Sequence, residues 1–188
     1  MLKNTIACVV AFIAVFCTGF GPASAHQAQR VAILPVFFGS GAAYDKDVEA
    51  VIEKNLTGKY HLPLAKVITI YDIIPKQEVR DALPAQLTGK KPKLEKQVIQ
   101  DLAAKLNADI VIAAEVTSFS TATISPWIWD GDTIRRTELG IRLISYQRPT
   151  DTYQEFKDRD MYSGDDNLWG QPEYMADQMI WKLINKVP

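Results

Sequence analysis

Two tryptophans beside a turn are the residues in this chain best placed to make a functional contact. Trp127 and Trp129 stand two apart, on one face of an expected strand, and Asp130-Gly131 follows with the signal of a two-residue hairpin turn that Asp132 closes. A hairpin tip offers little core in which to bury two indoles. They either pack back on a neighbouring helix or form, with Asp130 and Asp132, a contact patch for a protein or membrane surface.

Other constellations carry less chemistry. Asp158, Asp160, Asp165, Asp166 and Asn167 supply hard oxygens, but a calcium loop needs a glycine at its sixth place and that spacing is not met. A polar strand face running into solvated loop is the expectation there. Gly39-Ser40-Gly41 follows the first apolar segment, where a phosphate-binding loop would sit. Tyr44 occupies the place of the third glycine of a dinucleotide fingerprint, and the lysine of a Walker loop is missing, so these are expected to be turn glycines.

His26 and His61 are the two histidines. An amino-terminal His26 would chelate copper through its amine and imidazole only with a second histidine beside it, on a β-sandwich; His61 sits instead in an expected loop of an α/β pattern. No Gly-x-Ser-x-Gly elbow occurs. No catalytic residue, metal ligand or cofactor follows from these residues.

The positioning elements begin after residue 25. Lys3, the apolar run 6–17 and the small residues Ala23-Ser24-Ala25 form a tripartite signal peptide, with cleavage expected before His26. The run is well short of the ~20 apolar residues that span a bilayer. Residues 26–188 then form a single globular α/β domain, exported to the periplasm or secreted. Cys8 and Cys17 both fall in the signal, so the mature chain has no disulfide, thiolate site or cysteine nucleophile. With 47% hydrophobic and 23% charged residues the chain can build a core, and a net charge of -1 gives no field that favours nucleic acid.

Residues 30–38, apolar after Arg30, make a first strand, in which Pro35 marks a bulge or the end of pairing. A helix over 44–56 carries Val48, Val51, Ile52 and Leu56 on one stripe and stops at Gly58. A second strand covers 65–71, a short helix 75–83, and an exposed polar loop 84–92. The helix over 93–106 buries Val98, Leu102 and Leu106 and ends at Asn107, a residue able to adopt the left-handed conformation. Ile110-Val111-Ile112-Ala113-Ala114 is continuous and apolar, as a strand covered on both faces should be. The strand continues to Ile124. Its return strand points Leu139, Ile141 and Leu143 one way and Glu138, Gly140 and Arg142 the other. A polar fifth strand over 152–162, a loop over 163–171 and a helix over 172–187 complete the chain. That helix buries Met175, Met179 and Leu183, with Trp181 as a further candidate. The order β-α-β-α-α-β-β-β-α predicts a mixed sheet of about five strands with helices packed on it.

Val31-Ala32-Ile33-Leu34-Pro35, and the helix running into Leu106-Asn107-Ala108-Asp109 and the strand to Val116, resemble a group of bacterial envelope domains. The group includes the curli-secretion lipoprotein, the amino-terminal domain of the Tol periplasmic propeller protein and the lipoprotein activators of penicillin-binding proteins. The resemblance implies a small α/β domain that binds other envelope proteins without catalytic residues. Phe16 precedes Cys17 where lipoproteins carry a small residue, so no stable membrane anchor is expected.

The leading expectation is a non-enzymatic envelope protein that binds an envelope partner through its sheet and hairpin. The alternatives are a subunit of an outer-membrane assembly using the 117–146 hairpin and an exported metal-dependent hydrolase. Intact-mass measurement on protein from the producing cell should show a chain lacking residues 1–25; a full-length species would defeat the export assignment.

Overall fold

The computed structural model describes residues 28–61, 70–88, 92, 94–125 and 133–187. Among them the elements follow as β1 (Gln29–Ile33), β2 (Phe37–Ala42), α1 (Lys46–Tyr60), β3 (Tyr71–Ile73), α2 (Lys76–Ala82), α3 (Ala85–Thr88), α4 (Lys96–Lys105), β4 (Ile110–Ile124), β5 (Ile134–Gln147), β6 (Thr152–Asp165) and α5 (Pro172–Ile184). The strands form one mixed sheet in the order β3-β1-β4-β5-β6, with β2 also paired to β4. β1 runs parallel to β3 and β4, β2 runs parallel to β4, and β4-β5-β6 is an antiparallel meander. This is the expected mixed α/β sheet.

β4 is the strand on which the others converge. Its first half, 110–116, is buried on both faces, because helices cover each side. Ile110, Ile112, Ala114 and Val116 join Leu139, Ile141 and Leu143 of β5 under α1 and α5. Val111 and Ala113 join Ile144 and Tyr146 under α2 to α4, with Ile99, Leu102 and Ala103 of α4 among the contacts. Two apolar cores thus share one strand, and the sheet separates them.

The entry to β4 is pinned by a carboxylate. Asn107 adopts the left-handed conformation at φ 47, ending α4 as its residue type foretold. Asp109 then accepts hydrogen bonds from the backbone N–H of Arg30 and from the Arg148 guanidinium, both at 3.0 Å. Its own N–H donates to Arg30 O at 2.8 Å, and its carbonyl accepts from the Arg148 N–H at 2.8 Å. One residue ties the start of β1, the start of β4 and the end of β5 together.

Several expectations are corrected. The first strand is two strands, because pairing to β4 breaks between Ile33 and Phe37 around Pro35, giving six strands in place of five. Gly39 and Gly41 do not turn the chain. They lie in β2, where a Cβ on Gly39 would come within 3.0 Å of Glu115 Oε1 and one on Gly41 within 3.0 Å of Thr117 O, so glycine permits the close approach to β4. Gly58 does not stop α1, which starts at an Asp45 cap and continues to Tyr60. The 84–92 link contains a helical turn whose Leu87 is buried, and β6 runs on to Asp165. Of the expected 65–71 strand, residues 65–69 lie outside the described residues and the strand seen is β3. Trp181 is exposed.

Partial burial pushes the Asp109 carboxyl up, but the hydrogen bonds from Arg30 and Arg148 outweigh it and hold the group below the usual carboxylate range. A depressed folded-state value adds stability that is present above the unfolded-state value and disappears as pH falls through the folded one. Asp109→Asn should therefore be less stable than the parent at neutral pH, and the gap should close as pH falls below the ordinary carboxylate range. Melting curves across that range check it; a gap independent of pH would show that the Asp109 charge plays no part.

Candidate interaction surface at the rim of the sheet

The meander outgrows its helical cover. Beyond Val116, β4 is exposed at most positions, and its register to β5 shifts between Val116 and Ser118. Gly140 stands opposite that irregularity, and a Cβ on it would meet Ser118 Oγ and Thr117 Oγ1, each at 2.7 Å. The two hydroxyl side chains close over the glycine where the covered sheet ends.

On the α2 to α4 side an ionic ladder continues across the strands. Glu115 of β4, nearly buried, accepts from Arg142 Nε of β5 at 2.7 Å; Arg142 reaches Glu155 of β6 at 3.5 Å, and Glu155 pairs with Lys157 at 2.8 Å. The hydrogen bond from Lys157, reinforced by Arg142, holds the Glu155 carboxyl below its ordinary range against slight desolvation. Further out, Arg159 pairs with Glu138 at 2.7 Å. This face is polar and fixes the register of three strands.

The other side carries an aromatic turn. Between β6 and α5, residues Leu168–Gly170 form a 3-10 turn in which Leu168 and Trp169 are 60% and 62% exposed. Four interactions hold it. Asn167 Oδ1 accepts from the Trp169 N–H at 3.0 Å, and fully buried Thr137 donates to Gly170 O at 2.7 Å. Arg135 pairs with Asp166 at 2.6 Å, and the Tyr162 hydroxyl donates to Asp165 O at 2.8 Å. A Cβ on Gly170 would stand 2.4 Å from the Tyr162 ring, so only glycine lets the turn lie flat against β6. Trp169 meets Tyr174 edge-on at 5.1 Å. Two large apolar side chains are thus fixed outward by polar contacts beneath them.

The tryptophans and acids singled out in the sequence, Trp127, Trp129, Asp130 and Asp132, lie outside the described residues. The stem leading to them is described: Ile124 pairs with Ile134, and Ile134 with Asp165. The stem and the aromatic turn therefore share one end of the sheet. Reading the sequence missed Leu168 and Trp169 because 163–171 had no periodicity. The available signal was Asn167, a capping residue, directly before two large apolar residues and a glycine.

The late acidic run is dispersed. Asp158 and Asp160 accept from the neighbouring N–H groups of Arg159 and Met161, and Asp166 is held below the usual carboxylate range by the hydrogen bond from Arg135. Among the described residues no group of three or more His, Cys, Asp or Glu is placed to hold a metal ion. His61 caps the end of α1, its N–H donating to Thr57 O. Among those residues no helix is long and apolar enough to cross a membrane.

No family model matches the chain, and no curated protein matches it. Solved structures do show similarity. The hypothetical protein CT253 from Chlamydia trachomatis is 15% identical, over 85% of this chain and 95% of that one, with a TM-score of 0.46. The lipoprotein GNA1162 from Neisseria meningitidis is 12% identical over 85% and 97%, TM-score 0.43. The LpoB carboxy-terminal domain from Salmonella enterica is 8% identical over 71% and 82%, TM-score 0.40. Lipoproteins thus recur among the similar structures, at a structural similarity too low to assign this chain a function.

Arg142→Leu should leave the nearly buried Glu115 carboxylate without its partner and cost roughly 2–3 kcal/mol in a denaturant melt. Adding Glu115→Leu should recover part of that loss. Equal stabilities of parent and single variant would mean that the ladder does not hold the register.

Proposed function

We propose that this chain is an exported envelope protein that acts by binding another envelope protein, without catalysis, through a contact centred on Leu168 and Trp169 at the rim of the sheet. The observation that carries the proposal is the pair of exposed apolar side chains on a turn that Thr137, Asn167, Arg135 and Tyr162 hold rigid. Preset aromatic and aliphatic anchors are what protein interfaces use as hot spots, because little conformational entropy is lost when they dock. The tripartite segment at 1–25 and the small residues before His26 support export.

Insertion of the stem into lipid fits the described residues less well. Arg135 points to the aromatic-turn side and Arg136 and Glu138 stand at neighbouring positions of the same strand, so charges occur on both faces. A lipid-facing strand needs one apolar face.

A Leu168→Ala, Trp169→Ala double variant should keep the parent's melting temperature, because neither side chain contributes to the core, and should lose an envelope protein that the parent captures from a detergent extract. If the double variant captures the same protein as strongly as the parent, the aromatic turn is not the contact.

A further inference from the structure

A second exposed tryptophan lies in a different setting. Trp181 of α5 is 60% exposed and lines a groove of about 690 Å3 between α5, α1 and the start of β3. Ile70, itself partly exposed, and Tyr71 supply further apolar wall. Gly58 of α1 opens the space, since a Cβ there would meet nothing within 4 Å. The volume is in the range of sites that enclose one large side chain or a small ligand.

The charged residues that line this recess are lysines. Lys54 and Lys59 line it, and Lys182 and Lys186 follow Trp181 on the same stretch of chain. Lys59 Nζ donates to the carbonyls of Ile184 and Val187, which fixes the ammonium at the carboxy-terminal end of α5. Among the described residues the lysine ion pairs are those of Lys76, Lys96 and Lys157, so none of these four lysines pairs with a described carboxylate. Of the nearby acids, Glu53 pairs with Lys76 at 2.6 Å, and Asp177 accepts from Asn55 of the groove wall at 2.9 Å, which leaves one carboxylate at the edge against the lysines. A chain of net charge -1 concentrates cations here around an indole.

We propose that the groove between α1 and α5 docks an acidic segment of a partner protein that carries an apolar side chain, which seats against Trp181 and Ile70 while its carboxylates meet Lys54 and Lys59. Complementary charge selects the segment and steers its approach, and the recessed apolar wall gives it an anchor. A concave recess suits an inserted side chain. A bilayer surface would need the indole to protrude. The site is independent of the Leu168–Trp169 contact, being built on other elements.

The test uses labelled peptides of alternating Asp and Glu with one central Phe, Trp or Leu, followed by fluorescence anisotropy with the full mature chain. Saturable binding should appear, weaken as salt rises, and vanish for peptides with Lys in place of the acids. Trp181→Ala should weaken it tenfold or more, and Lys54→Glu several-fold, both with the parent's melting temperature. Absence of saturable binding to every acidic peptide would overturn the proposal, as would binding unchanged in both variants. So would a Trp181→Ala variant melting well below the parent, since the indole would then be packed within the chain. Phosphatidylglycerol vesicles that bind the parent and not the variants, with no peptide bound, would assign the groove to a membrane surface and overturn it as well.

Discussion

The pairing of Glu115 with Arg142 sits where this sheet changes character. On one side of it lie two cores, each sealed by helices; on the other, the face that α2 to α4 cover elsewhere carries polar and charged side chains such as Arg136 and Glu138. A carboxylate so little exposed is tolerated because a guanidinium spans it from the neighbouring strand, and leaving either alone would strand a charge in a low-dielectric place. Gly39 lets β2 approach the same carboxylate, and the irregularity at Thr117 with Gly140 opposite follows within a few residues. The register of β2 and β5 on β4, and of β6 on β5, is consequently set beside one ion pair.

The two exposed tryptophans among the described residues are linked through α5. Trp169 stands just before the helix and Trp181 three-quarters along it, roughly 15–20 Å apart at 1.5 Å per residue. The inward face of α5, with Met175, Met179, Ile180 and Leu183, belongs to the core under β5, so the helix is a rigid spacer between the two surfaces. A partner long enough to touch both would meet an aromatic turn at one end and a lysine-rimmed recess at the other.

Much of the fold was legible because its logic is periodic. The run from Ile110 declared a doubly covered strand, the stripe Val48, Ile52, Leu56 declared a helix, and the alternation Leu139, Ile141, Leu143 declared a strand with these three on one face; all of them are buried. What stayed hidden depends on distant chain. Gly39 and Gly41 look like turn residues until β4 is seen passing close by. Gly58 looks like a helix stop, yet Lys59 reaches α5 and keeps the helix going. Trp181 sits at a spacing compatible with the buried stripe, but one residue round the helix from Ile180 was enough to expose it. The aromatic turn was illegible for the same reason: Thr137, 33 residues away, is what holds it.

The parallel strands of this sheet also impose an order on folding. Arg30 and Asp109 are separated by 79 residues, whereas β4, β5 and β6 are joined by short reversals. Contacts that close small loops form early, and the meander can assemble on its own. β1 has only the three-residue β3 to pair with until β4 is present, and two short parallel strands do not hold together alone. A chain emerging from its amino terminus therefore remains unfolded until most of it has been made. Late closure of this kind would suit the proposed export, since a chain still open passes through a narrow pore and a folded one does not.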